Sequence, residues 1–204
     1  MPAGRSAAVP AGRSATSDGW CAATVGSFGV DDELRQLADL LRLRDDLDAR
    51  IAALTGRSAR QGDVGEFIAS KVFDIELAAT AVQAGYDGRF RSGPLTGGTV
   101  NIKTYGDAVT GLDIGLHPCD FYLVFSGPPR AVGPVRHHRW RISAVYLFDT
   151  HRLTTDLVAR NTKIGIATSL RRSDLAAAQL FPAGSATAAL SLTKRQSAML
   201  SLFS

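Results

Sequence analysis

The segment that most constrains the fold is residues 86–105, which read YDGRFRSGPLTGGTVNIKTY. The glycines and the proline in its middle predict a turn between two short runs of residues that favour β-strands. Because side chains alternate across a strand, Asn101 and Lys103 share one face of the second run. Pairing of the two strands would bring the Asp87 carboxylate towards both. The sequence therefore predicts a hairpin on which a carboxylate, an amide and an ammonium group converge.

This convergence resembles the core of the PD-(D/E)xK nuclease superfamily, the restriction-endonuclease-like domains. There an Asp and the acid of the (D/E)xK motif hold a divalent metal ion. Asp87 matches the Asp, Asn101 falls where the second acid belongs, and Lys103 matches the Lys. An upstream helix of the superfamily often supplies another acid, for which the candidate is Glu66 in the segment GDVGEF. The longer pattern, across about residues 31–203, also resembles uncharacterised bacterial domains assigned to this fold.

The resemblance implies a Mg²⁺- or Mn²⁺-dependent endonuclease that hydrolyses phosphodiester bonds in DNA, in a restriction- or repair-like role. The metal would be held by the carboxylates of Glu66 and Asp87, with oxygen donors from Asn101 and the Ile102 carbonyl. Lys103 would orient or help deprotonate the water and stabilise the developing charge. Since asparagine brings no charge, metal affinity should fall unless Glu66 takes part.

Two questions stay open at this point. Glu66 also fits a capping box with Asp63 at the start of a helix, and it would then be a cap and not a ligand. The function also has alternatives to the endonuclease. Asn101 makes a catalytically weak or silent fold that binds nucleic acid credible. In a third interpretation the chain is an interaction protein, and the polar hairpin residues only satisfy a strand edge.

Composition divides the chain into three parts. Residues 1–27 are rich in Ala, Gly, Ser and Arg, which predicts a disordered tail. Residues 28–60 predict an amphipathic N-terminal helix, and residues 61–204 the restriction-endonuclease-like domain. The leucine stripe of the helix, over residues 31–54, predicts either packing on its own domain or contact with a second copy in a homodimer.

Strand and helix patterns alternate through the remaining sequence. Apolar or alternating runs predict strands, and capping residues predict helices. The strands are expected at Cys119–Phe125, Trp140–Phe148 and Lys163–Leu170, and the helices at 150–160, from Ser173 to Phe181, and after a capping box at Thr193–Gln196. The predicted fold class is therefore α/β, with a central mixed β-sheet flanked by helices.

Basic residues suggest where nucleic acid would bind. The chain has 23 basic and 19 acidic residues, a net charge of +4, which permits this partner without requiring it. Clustered arginines and histidines would contact phosphates, although a solvated loop is an equal alternative. The candidates are Arg136, His137, His138, Arg139, Arg141, Arg171 and Arg172.

Cysteine content and hydropathy bear on the compartment. Cys21 and Cys119 are too few for a disulfide framework and lack the spacing of zinc ligands. No apolar run is long enough to span a membrane. We therefore expect a cytoplasmic protein with no membrane partner.

Overall fold

The computed structural model describes residues 30–79, 85–115, 119–130, 140–185 and 188–204. By its internal contacts the chain divides into two units, Met1–Leu43 and Arg44–Ser204. The helices are α1 (Val30–Thr55), α2 (Gln61–Phe73), α3 (Thr150–Ala159), α4 (Arg172–Ala178) and α5 (Lys194–Ser201). The strands are β1 (Ile75–Leu77), β2 (Gly88–Phe90), β3 (Thr99–Tyr105), β4 (Gly111–Leu112), β5 (Phe121–Ser126), β6 (Ala144–Asp149), β7 (Thr168–Ser169) and β8 (Gln179–Phe181).

Helix α1 forms where the leucine stripe predicts it, within one residue at each end. Gly56 ends it with a φ of +69°, a conformation that glycine adopts without a steric penalty. The Gly56 N–H donates to the Ala52 carbonyl at 2.8 Å. No residue of α1 is buried. The leucines of its apolar stripe are exposed, whereas Ile51 is half-buried.

The central sheet is mixed, as predicted, and has six strands in the order β1-β2-β3-β5-β6-β8. Strands β3 and β5 are parallel, with Asn101 opposite Tyr122 and Lys103 opposite Val124. The other neighbouring pairs are antiparallel. A separate two-stranded sheet pairs β4 with β7.

Two apolar clusters cover the two faces of the central sheet. In β3, Val100 and Ile102 are buried in a cluster that also contains residues of α2 and α5. The opposite face carries Tyr122 and Val124, which pack with residues of α3 and α4. The period of two in β3 is thus realised, and it leaves Asn101 and Lys103 on the second face. An α/β arrangement with helices on both faces is confirmed.

Local signals correctly predict the start of α5. The Thr193 side chain accepts from the Gln196 N–H at 3.2 Å, and the Thr193 N–H donates to Gln196 Oε1 at 2.9 Å. This is the reciprocal bonding of a capping box. Leu200 is fully buried, and Met199 and Phe203 pack against the same cluster.

Two predicted elements are wrong. Of the expected strand Lys163–Leu170 only Thr168–Ser169 is extended and paired, because the Thr168 hydroxyl bonds to both the N–H and the carbonyl of Gly165 at 2.8 Å and closes a turn. The expected helix from Ser173 begins at Arg172 and ends at Ala178. Its last three residues instead form β8, which pairs with β6 and buries Leu180 and Phe181.

Within the described residues, no helix is both long and apolar enough to cross a membrane. Cys119 is a buried free thiol, and burial raises its pKa. The other cysteine, Cys21, lies outside the described residues, as does the tail predicted for residues 1–27.

Candidate functional site

The site is built where β2 separates from β3. The two strands pair at Gly88 with Val100, and the Asp87 N–H still donates to the Val100 carbonyl at 2.9 Å. One step further along β3, the Asp87 side chain takes the place of the backbone partner. Its Oδ2 accepts from the Ile102 N–H at 2.7 Å. The Asp87 carboxylate is therefore held on β3 at the residue between Asn101 and Lys103.

The same edge of β3 also presents a backbone oxygen. In a strand, the N–H and the C=O of one residue point to the same neighbouring strand. Because the Ile102 N–H points to Asp87, the Ile102 carbonyl faces the edge that β2 leaves open. The predicted ligand pair of Asp87 and the Ile102 carbonyl therefore shares one strand edge.

Helix α2 brings Glu66 to this edge because the helix packs closely on β3. At Gly65 there is no room for a side chain, since a Cβ there would overlap the Thr104 hydroxyl and lie 3.1 Å from Thr104 Cβ. Glu66 follows directly. Burial raises the pKa of the Glu66 carboxyl, and the negative charge of Asp87 raises it further. The two predicted acidic ligands are thus close enough to repel each other.

Arg57 is the present partner of Glu66. Its guanidinium forms an ion pair with the Glu66 carboxylate and lies 3.9 Å from Asp63 Oδ1. All three side chains are at least two-thirds buried. The Arg57 charge and hydrogen bond lower the pKa of Glu66, but they do not cancel the effects of burial and of Asp87. A cation other than a metal therefore neutralises this acid.

The capping-box interpretation of Glu66 is wrong. Helix α2 begins at Gln61, two residues earlier than predicted, and its N-cap is Arg60, which makes no side-chain cap bond. Asp63 consequently lies inside the first turn, where its carboxylate accepts from the Ser58 hydroxyl. Glu66 points to Arg57 and not back to the helix start.

The side-chain amide oxygen of Asn101 lies in an unusual environment. This atom, Oδ1, is buried and has no hydrogen-bond partner among the residues that the structure describes. A buried acceptor left without a donor costs about 1–3 kcal/mol, so such an atom needs a physical explanation. A bound cation or a water molecule would supply the missing partner.

Lys103 lies on the same strand face as Asn101 and is partly buried. Its ammonium group makes no hydrogen bond or ion pair within the described part of the chain. A partly buried ammonium without a carboxylate partner is available to a ligand anion. The structure thus leaves the Lys103 charge uncommitted beside the Asp87 edge.

These residues fit a hard divalent cation through oxygen donors. Glu66 and Asp87 supply negative charge, and Asn101 Oδ1 and the Ile102 carbonyl supply neutral oxygens. In the described segments no three His, Cys, Asp or Glu side chains form a metal-binding group. A metal here would therefore depend on two carboxylates, the neutral oxygens and water.

The predicted nucleic-acid contacts are only partly described. Arg141, Arg171 and Arg172 are exposed, the first just before β6 and the other two at the start of α4. Arg136, His137, His138 and Arg139 lie outside the described residues. Asp120, just before β5, has a structural role, since it accepts from the Thr99 N–H and hydroxyl at 2.7 Å each.

Sequence reasoning missed three residues near the site. The Arg89 guanidinium lies 4.8 Å from the centre of the Tyr86 ring and donates to the Gly97 carbonyl at 3.1 Å. The Tyr86 ring is half-buried, so this cation–π contact fixes the exposed Arg89 side chain close to Asp87 in the chain. The third is Arg57, for which the sequence offers no signal, because its pairing depends on the path of the chain between α1 and α2.

No protein-family model matches this chain, and the comparison with curated proteins found no match.

Proposed function

We propose that the protein is a metal-dependent endonuclease that hydrolyses phosphodiester bonds in DNA. The observation that carries the proposal is the position of the Asp87 carboxylate, bonded to the Ile102 N–H between Asn101 and Lys103. Glu66 supports it, because its pKa responds to the charge of Asp87. With this function we propose a restriction-endonuclease-like fold and a cytoplasmic location, where Cys119 stays a free thiol.

A divalent metal in this site would supply an activated water and positive charge on the phosphate. The residues of the chain have separate tasks around it. Asp87 uses Oδ2 for the Ile102 N–H and makes no hydrogen bond through Oδ1 in the described part of the chain, so Oδ1 is free to bind. Glu66 adds the second negative charge once it leaves Arg57. The Lys103 ammonium orients the water and stabilises charge that develops on the phosphate.

A second candidate is a silent fold that binds nucleic acid without cutting it. Two observations favour it. Asn101 is neutral where the resembled motif has an acid, and the Glu66 carboxylate is already paired with Arg57. In this state the site would retain the Lys103 ammonium for contact with phosphate, but it would hold metal weakly because Arg57 stays paired with Glu66.

The test of the proposal is cleavage of plasmid DNA with Mg²⁺ or Mn²⁺. We expect the wild-type chain to cut, and Asp87→Asn and Lys103→Ala to lose cutting. Asp156→Asn and Lys194→Ala are the matched controls, since both residues are exposed and remote in sequence from the site. Cutting that persists in Asp87→Asn would overturn the proposal.

Asn101→Asp distinguishes the two candidates. It places a carboxylate where the resembled motif has one, so a weakened nuclease should bind metal more tightly and cut faster. An Asn101 that serves only the structure should show no gain, and the added buried charge should then lower stability. DNA binding without cutting in both the wild type and Asn101→Asp would favour the silent fold.

A further inference from the structure

Helix α1 exposes an apolar surface, although the apolar face of a helix is normally packed against other structure. None of its residues is buried, and Leu37 is 51% exposed. Contiguous exposed apolar surface marks interaction sites, whereas scattered exposed leucines do not. The large exposed apolar side chains of α1 are Val30, Leu34, Leu37, Leu40, Leu41, Leu43, Leu47 and Leu54. We call the surface they form the α1 stripe.

Five of the eight side chains of the α1 stripe occupy the a and d positions of a heptad repeat, and Leu34, Leu41 and Leu43 lie beside them at e and g. Positions a of the heptad are residues 30, 37, 44 and 51, and positions d are 33, 40, 47 and 54. These positions hold apolar residues except for Glu33 and Arg44, and a repeat of this kind places one seam along a partner helix. The polar face lies elsewhere, where ion pairs such as Arg42–Asp39 at 2.6 Å bridge neighbouring turns.

The two charged seam residues determine the direction of a partner helix. If two copies of α1 ran parallel and in register, Glu33 would face Glu33 and Arg44 would face Arg44. Like charges at such positions are destabilising. In an antiparallel pair, a positions of one helix face d positions of the other. One antiparallel register places Glu33 of each copy opposite Arg44 of the second copy, so that both charges are paired.

That register also matches the apolar positions. Val30 then faces Leu47 of the second copy, and Leu37 faces Leu40 of the second copy. Shifting the antiparallel pair by one heptad towards greater overlap would place Arg44 opposite Leu40 and Glu33 opposite Ile51, so both charges would lose their partners. Charge and apolar pattern therefore select the same alignment. It overlaps residues 30–47 of each helix.

We propose that the protein is a homodimer whose interface is the α1 stripe, with the two α1 helices antiparallel and Glu33 of each copy paired with Arg44 of the other. Arg44 is free to change partners, because its present pair with Asp48, at 3.7 Å, is exposed to solvent. The homodimer does not depend on nuclease activity. The dimer proposal can therefore be confirmed or refuted independently of the proposed function.

The first test is the mass of the full chain in solution, measured by analytical ultracentrifugation over a range of concentrations. We expect twice the mass of the chain at micromolar concentration. Leu37→Glu combined with Leu40→Glu should give a monomer, whereas Val158→Glu, at an exposed apolar residue of α3, should leave the dimer intact. A monomeric wild type, or a dimer that survives the double substitution, would overturn the proposal.

The second test exchanges the charges at residues 33 and 44, and it reports the relative direction and register of the two α1 helices. Glu33→Arg and Arg44→Glu should each weaken the dimer about tenfold, since each converts two symmetric attractions into repulsions. The double variant restores the opposite-charge pairs and should recover wild-type affinity. Because neither residue is buried in the single chain, these variants should fold normally. A double variant as weak as the single variants would refute the antiparallel register.

Discussion

The substitution Gly65→Ala tests whether close packing of α2 on β3 is what positions Glu66. A Cβ at Gly65 would overlap the Thr104 hydroxyl, and the Thr104 Cβ behind it lies only 3.1 Å away. Because Thr104 belongs to a central strand, α2 has to move instead. Overpacking of this kind costs about 1–3 kcal/mol, and we take the upper part of that range. Alanine recovers about 1 kcal/mol of helix propensity. The expected net loss of unfolding free energy is therefore about 1–2 kcal/mol.

The assay is urea denaturation, with DNA cleavage measured on the same samples. Thr104→Ala removes the overlapping hydroxyl, which has no hydrogen-bond partner among the described residues, and should rescue Gly65→Ala. Thr104→Val is the matched control, because it places a methyl group where the hydroxyl was and should not rescue. Wild-type stability of Gly65→Ala, or equal rescue by both Thr104 variants, would refute the reasoning about this contact.

Two further predictions concern charged residues near the site. Arg57→Met should raise Mn²⁺ affinity about fivefold, measured by calorimetric titration, because it removes the cation that competes for Glu66. Asp120→Ala should lower the unfolding free energy by about 1 kcal/mol at neutral pH, since it removes the bonds from Thr99. Those bonds lower the pKa of Asp120. The contribution of Asp120 to the unfolding free energy is therefore present above the unfolded-state pKa of its carboxyl group and lost as the pH falls through the folded-state pKa. The unfolding free energies of wild type and variant should consequently converge in acid.

Features that depend on neighbouring residues could be predicted from the sequence. The ends of α1, the alternation along β3 and the capping box at Thr193 each follow from a local pattern, and the structure confirms all three. The position of Asp87 beside Asn101 and Lys103 could also be predicted, because it depends only on the hairpin. The contact from the Ile102 N–H to Asp87 agrees with that prediction.

Features that depend on distant residues could not be predicted. Residues 179–181 continue a helical pattern, yet they form β8 because the edge of β6 offers hydrogen bonds and burial. The ion pair between Glu66 and Arg57 likewise could not be predicted, since the fold of the segment before α2 brings the two side chains together. Gly65 carried a usable signal, because a glycine inside a helix often marks close approach of another element.

The measurement that tests the central claim most directly is Mn²⁺ binding by the purified chain, by calorimetric titration of wild type, Asp87→Asn and Lys103→Ala. If Asp87 and Glu66 form the metal site, the wild type should bind Mn²⁺, Asp87→Asn should lose that binding, and Lys103→Ala should retain it. Asp156→Asn is the control for loss of an exposed carboxylate. Mn²⁺ affinity that is the same in wild type and Asp87→Asn, or absent from both, would contradict the account.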